Sequence, residues 1–166
     1  RGKEGLIIAK MNAIEDVDII EALYMASING VKIKLIVRGF CCLRPGVPGL
    51  SENIEVISII GRFLEHSRIY YFSGGQSDPS KGKFFIGSPD WMHRNLNVRV
   101  EVAVPLVTEE SKSVAWKILN VNLNDKRSSW KMNQDGSYTQ KVPEGEKEKL
   151  GSHAVLMSDS EENNFS

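Results

Sequence analysis

The sequence predicts an α/β domain, a mixed and mostly parallel β-sheet flanked by helices. Three observations carry this. Short β-branched runs alternate with one long amphipathic segment in the first 40 residues. A Gly/Pro-punctuated loop follows the second run. Further strand-like runs and another capped helix complete the chain. At 166 residues one domain is expected, with enough chain for a sizeable core.

GLIIAKM (Gly5 to Met11) is an apolar run of the kind that fills a buried strand. IEDVDIIEALYMASING reads as a helix, with Glu15 or Asp16 near its start and Gly30 just past its end, where a left-handed cap is needed. Ile19, Ile20, Leu23 and Tyr24 fall at helical spacing along it. VKIKLIV (Val31 to Val37) follows at once, which makes a βαβ unit with parallel strands and a right-handed crossover. RGFCCLRPGVPGLSENI then loops from that strand's carboxyl end, the usual ligand position in open sheets.

Residues 53–60 read as a short strand and residues 61–66 as a helical turn. Arg68 to Phe72 and Phe84 to Gly87 form strands around a polar turn. NVRVEVAV (Asn97 to Val104) alternates and reads as another strand, ended by Pro105. Thr108 caps a helix from Glu109 to about Asn122, with two acids in its first turn. A terminal hairpin turns at Asp135-Gly136. Residues 144–166 are charged and then Ser-, Glu- and Asn-rich, as expected of a disordered tail, with His153 at its edge silent in function.

The 21 basic and 21 acidic residues cancel, so no strong whole-domain attraction to nucleic acid or an anionic membrane is expected. Cys41 and Cys42 are adjacent; a vicinal disulfide is strained, so no secreted disulfide framework or zinc spacing is present. No apolar run is long enough to span a membrane, and reduced cysteines suit the cytosol. The chain opens on RGKEGLIIAK without a start signal, as expected of a piece of a longer protein.

Polar groups concentrate beside strand ends in three segments. These are VRG with Arg38, RFLEHSR with Arg62, Glu65, His66 and Arg68, and GSPDWMHRN with Ser88, Asp90, His93, Arg94 and Asn95. Arginine offers a planar, permanently charged fork that matches phosphate oxygens, and histidine holds or relays a proton near neutral pH. Each has a plain structural reading too: Arg38 ending a strand in solvent, His66 a satisfied histidine beside Glu65, His93 a surface residue. Trp91 and Trp116 read as packing residues.

His66-Ser67-Arg68 followed by Gly87-Ser88-Pro89-Asp90 resembles the phospholipase D superfamily pattern, H-x-K and then G-S-x-N. Here Arg68 replaces the lysine and Asp90 the asparagine, and the intervening aspartate is missing, so an intact hydrolase half-site is not expected.

The longer stretches VRGFCCLRPG, GLSENI, GRFLEHSRI and DWMHRN resemble the C-terminal catalytic region of the histidine-dependent polyphosphate kinases, over roughly residues 5 to 130. The resemblance implies that residues 1–143 are the second of two phospholipase D-like C-terminal domains. It implies an ATP:polyphosphate phosphotransferase whose phosphorylated histidine lies in a preceding domain absent from this chain, so that the fragment alone is inactive. By motif, Arg38 and His66 contact the nucleotide or its phosphates, with His66 a second catalytic residue. Arg94 lines the phosphate chain, and Arg62 and Arg68 stand near His66. A neutral His66 moves a proton and a protonated one adds a cation; the sequence does not choose.

The resemblance further implies ATP/ADP and inorganic polyphosphate as partners, Mg2+ accompanying ATP with no ligand assigned in this chain, and a cytoplasmic homo-oligomer, with peripheral membrane association left open. Two other classes stay open: a phospholipase D-like phosphodiesterase half-site, and a polyanion-binding module without chemistry.

Overall fold

The computed structural model describes residues 4–164. In chain order they form β1 (Leu6–Met11), α1 (Val17–Ile28), β2 (Lys32–Val37), β3 (Ile54–Ile59), β4 (Ile69–Phe72), β5 (Lys83–Gly87), β6 (Ala103–Leu106), α2 (Glu109–Leu123), β7 (Ser129–Met132), β8 (Tyr138–Gln140) and α3 (Ser152–Asn164). All the strands join one open sheet in the order β6-β5-β4-β1-β2-β3-β7-β8. The α/β class is as expected, but the balance of strand directions is not. Only β1–β2 and β2–β3 pair parallel, and the other five junctions are antiparallel. Each antiparallel strand beyond the βαβ core is reached by a loop or hairpin, or by α2 running back along the sheet, rather than by a further parallel crossover.

Alternation along the strands divides the core between two faces. Ala9, Met11, Leu35, Val37 and Val56 pack with α1 residues such as Leu23. Ile8, Ile36, Ile57, Tyr71 and Phe84 pack with Ala115 and Leu119 of α2. Trp91 stacks on Tyr70 with centroids 5.2 Å apart, and Trp116 lies against Tyr71 at 5.0 Å, so both indoles are packing residues.

Local signals set the helix ends. The Asp16 carboxylate accepts the Ile19 amide at 3.1 Å, and Gly30 follows α1 with φ +82°, a conformation that glycine adopts without strain. Thr108 caps α2 by accepting from Ser111.

Three segments depart from expectation. Residues 61–66 form an irregular loop, not a helical turn. The valine-rich run does not begin as a strand: Arg94–Val98 is a π-type turn closed by Arg99 N–H on the Arg94 carbonyl, and the strand starts at Ala103. Buried Asn95, tied to Glu101, pins that turn, and Pro105 sits inside β6 because β6 is a sheet edge. Lastly, the expected disordered tail carries a short 3-10 turn at Glu146–Lys149 and then α3, whose first amide, Ser152 N–H, is accepted by buried Asp125 at 2.6 Å.

Candidate functional site at the carboxyl edge of the parallel strands

Strand direction brings the polar segments together. Asn12 and Arg38 directly follow the ends of β1 and β2. β4 runs against β1, pairing Ile69 with Lys10, so the segment before it, His66 to Arg68, emerges at the same edge. β5 runs against β4, so Ser88 to Asp90 return there as well. This is the carboxyl edge where open α/β sheets place their ligands.

A single chain of hydrogen bonds links the segments. Arg38 Nε donates to Asn12 Oδ1 at 3.0 Å. Asn12 in turn donates its backbone N–H to Asp90 Oδ1 at 2.7 Å. Asp90 is gripped by Arg68 through Nε at 2.9 Å and Nη2 at 3.0 Å, while Arg68 Nη1 donates to the His66 carbonyl at 3.1 Å. Burial pushes the Asp90 carboxyl up, but hydrogen bonds from Arg68 and Asn12 outweigh it and hold it below the usual carboxylate range. The two residues substituted into the phospholipase D pattern, Arg68 and Asp90, are therefore partners of each other.

A second anchor grips the loop from the other side. Lys10 is buried on β1 at 5% exposure, and its ammonium pairs with Glu65 and reaches the Ser67 carbonyl at 3.4 Å. Glu65 also accepts the Ser67 amide at 2.6 Å. Burial raises the Glu65 carboxyl, and the hydrogen bonds from Lys10 and Ser67 more than reverse that. His66, between Glu65 and Arg68, is exposed and rims an apolar trough formed by Ile86, Val102, Val104, Val114 and Ile118.

Among the expected site residues, Arg38, His66 and Arg68 share one connected network. Arg62 and Arg94 are exposed, and no hydrogen bond or ion pair among the described residues links them to it. The Arg62 guanidinium lies over the Phe63 ring at 5.5 Å. Arg94 opens the π-type turn. His93 is exposed, and its ring meets the Asn97 amide at 3.1 Å. Sequence reasoning missed Lys10, Asn12 and the pairing role of Asp90. A lysine inside an apolar strand run was the available signal, since buried lysine requires a partner.

Among the described residues no cluster of three or more His, Cys, Asp or Glu could hold a metal ion. Asp90 and Glu65 are occupied by Arg68 and Lys10, so these residues do not fit a chain-held Mg2+. Burial pushes the Cys41 thiol up to about 11, and neither Cys41 nor Cys42 is in a disulfide. No helix among the described residues is long and apolar enough to cross a membrane.

Fold and site together define an open α/β domain that gathers arginine and histidine at the carboxyl edge of its parallel strands. The family model described as "Polyphosphate kinase C-terminal domain 2" matches residues 1–152. The chain belongs to the polyphosphate kinase family. Polyphosphate kinases of Thermosynechococcus vestitus and Pseudomonas aeruginosa are 51% and 46% identical to it over 157 and 156 residues, covering 95% and 94% of this chain but 21% and 22% of theirs. The crystal structure of polyphosphate kinase from Porphyromonas gingivalis matches with a TM-score of 0.88 at 37% identity, over 98% of this chain and 25% of that one. The chain thus spans about a fifth of the length of the curated relatives it matches.

Proposed function

We propose that this chain is the second C-terminal domain of an ATP:polyphosphate phosphotransferase and supplies one side of its reaction site. The reaction is reversible: the bond between the γ-phosphorus and the β–γ bridging oxygen of ATP breaks, ADP leaves, and the phosphoryl group ends on the terminal oxygen of inorganic polyphosphate. A histidine of a preceding domain carries the phosphoryl group in between. The observation that carries this reading is the meeting of Arg38 and the His66 segment at one sheet edge, through Asn12, Asp90 and Arg68.

Each residue then has a role. Arg38 is held at Nε by Asn12, and among the described residues its terminal nitrogens have no protein hydrogen bond beyond that, so the fork is available to phosphate oxygens. His66 faces the partner domain and holds or moves a proton at a ring nitrogen during transfer. Arg94 lines the path of the polymer, and Arg62 adds charge at the loop. Arg68 contributes through position, fixing the His66 backbone. Positioning and fixed charge supply most of the catalysis in phosphoryl transfer. Mg2+ arrives with ATP as its counter-ion, and the protein works in the cytoplasm as a homo-oligomer. A diesterase half-site is disfavoured, because Arg68, at the position of that pattern's lysine, is committed to Asp90.

Radiolabelled ATP tests the reading. This chain alone is expected to take up no acid-labile phosphate, whereas a protein that includes the preceding domain does. In that longer protein Arg38→Ala and His66→Ala each remove most synthesis without unfolding. Near-normal turnover in both variants would overturn the assignment.

A further inference from the structure

The loop that presents His66 has little of its own to hold it. Residues 61–67 lie in no helix or strand, and Phe63 and Leu64 are exposed. Among the described residues, the hydrogen bond made by residues 61–64 is the one from Phe63 N–H to His153 Nδ1, at 3.1 Å. The two rings also stack, with centroids 5.8 Å apart and planes 11° from parallel. In this contact the ring nitrogen Nδ1 is the acceptor. His153 further borders the cleft that contains Lys10, Arg38, Phe63 and Glu65.

His153 is itself fixed from behind. It follows Ser152, whose amide donates to Asp125 Oδ2, and the other oxygen of Asp125 accepts the Arg127 and Ser128 amides at 2.8 and 2.7 Å. Lys117 of α2 pairs with Asp159 of α3 at 2.7 Å. The loop meets the ring at Gly61, where a Cβ would stand 2.5 Å from His153 Nδ1 and Cε1. Gly61 has no left-handed backbone requirement, and the three atoms nearest such a Cβ all belong to the His153 ring.

We propose that His153 is a positioning residue for phosphoryl transfer: it clamps the amino-terminal half of the loop through Phe63, while Lys10 clamps the other half through Glu65, and His66 is presented beyond them. The proposal rests on the reading of His66 given above. It assigns a role within this site to α3, which begins at the last residue of the family match and runs beyond it. Misplacing a reacting group by about 1 Å costs on the order of a hundredfold in rate, so a loosened clamp is felt in kcat rather than in binding.

The test uses the full-length protein with His153→Ala, His153→Asn, Gly61→Ala and the double variant Gly61→Ala/His153→Ala. Asparagine carries an acceptor near the place of Nδ1 and is expected to restore the clamp. His153→Ala is expected to lower kcat for synthesis by roughly tenfold or more with KM for ATP changed less, and to raise hydrogen exchange across residues 61–67. Gly61→Ala should reproduce both effects. In the double variant it should add nothing, since the ring it collides with is gone. If His153→Ala does not fold, the comparison of Gly61→Ala with wild type and of His153→Asn with wild type carries the test.

Unchanged exchange and unchanged kcat in His153→Ala, or additive losses in the double variant, overturn the clamp. If exchange rises while kcat stays normal, the role in transfer is overturned. Activity retained in His66→Ala would then trace that failure to the reading of the site rather than to the contact.

Discussion

Arg68 and Asp90 meet fork to fork, Nε on Oδ1 at 2.9 Å and Nη2 on Oδ2 at 3.0 Å, with side-chain exposures of 20% and 9%. The pair joins the strand that begins at Ile69 to the loop that leaves β5, and through Asn12 it reaches Arg38. Its separation should therefore be costly out of proportion to a surface ion pair.

Asp90→Asn strands the Arg68 cation and weakens the acceptor for the Asn12 amide. We expect it to destabilise this chain by about 2–3 kcal/mol, read from urea unfolding. Arg68→Lys keeps the charge but loses the two-point grip, and is expected to recover little of what Arg68→Ala loses.

Lys10 and Glu65 behave as a unit. Glu65→Gln leaves a buried ammonium without its counter-charge, whereas Lys10→Met with Glu65→Gln removes both charges and fills the strand position with an apolar chain. The double variant is expected to be more stable than Glu65→Gln alone, by roughly 1 kcal/mol or more. A double-mutant cycle by thermal unfolding checks this.

Acid should loosen the same edge. The Asp90 and Glu65 carboxyls are held below their ordinary values of 3.8 and 4.5, so the unfolded chain binds protons before the folded one does. Their stabilisation is complete above those ordinary values and drains as pH falls through the lowered folded ones. Unfolding midpoints are expected to hold from neutral pH to about 5 and to drop below about 4. Glu65→Gln should flatten that drop; an unaltered profile would count against the ion pair.

Polyphosphate binding should weaken as salt rises, because each arginine–phosphate contact releases a condensed counter-ion. Titration at two salt concentrations is expected to show a shallower dependence for Arg38→Ala and for Arg94→Ala. Asn53→Ala, on the amino side of β3, should leave it unchanged.

Much of the fold was legible along the chain. The βαβ unit, the Asp16 and Gly30 caps, the Thr108 cap and the hairpin at Asp135-Gly136 each depend on neighbours in sequence, and each stands where the residues indicated. The valine run from Asn97 to Val104 misled, because alternation signals a strand only where one face is buried. Val98, Val100 and Val102, ahead of β6, are all exposed, and the pull of Asn95 on Glu101 bends the chain before it pairs. The balance of strand directions was equally hidden, since it depends on which edge each return strand takes.

By itself the sequence determined the class of the fold and, through its long motifs, the family and the candidates Arg38, His66 and Arg94. Tertiary structure alone decided which polar residues are free and which are bound. Arg68 looks like a phosphate ligand in the string and is Asp90's partner in space; Lys10 looks like an interruption of a strand and is the clamp on Glu65; His153 looks like part of a loose tail and touches the loop of His66 from 90 residues away. Burying a charge requires a counter-charge, and nothing local in the chain says where that counter-charge will be found.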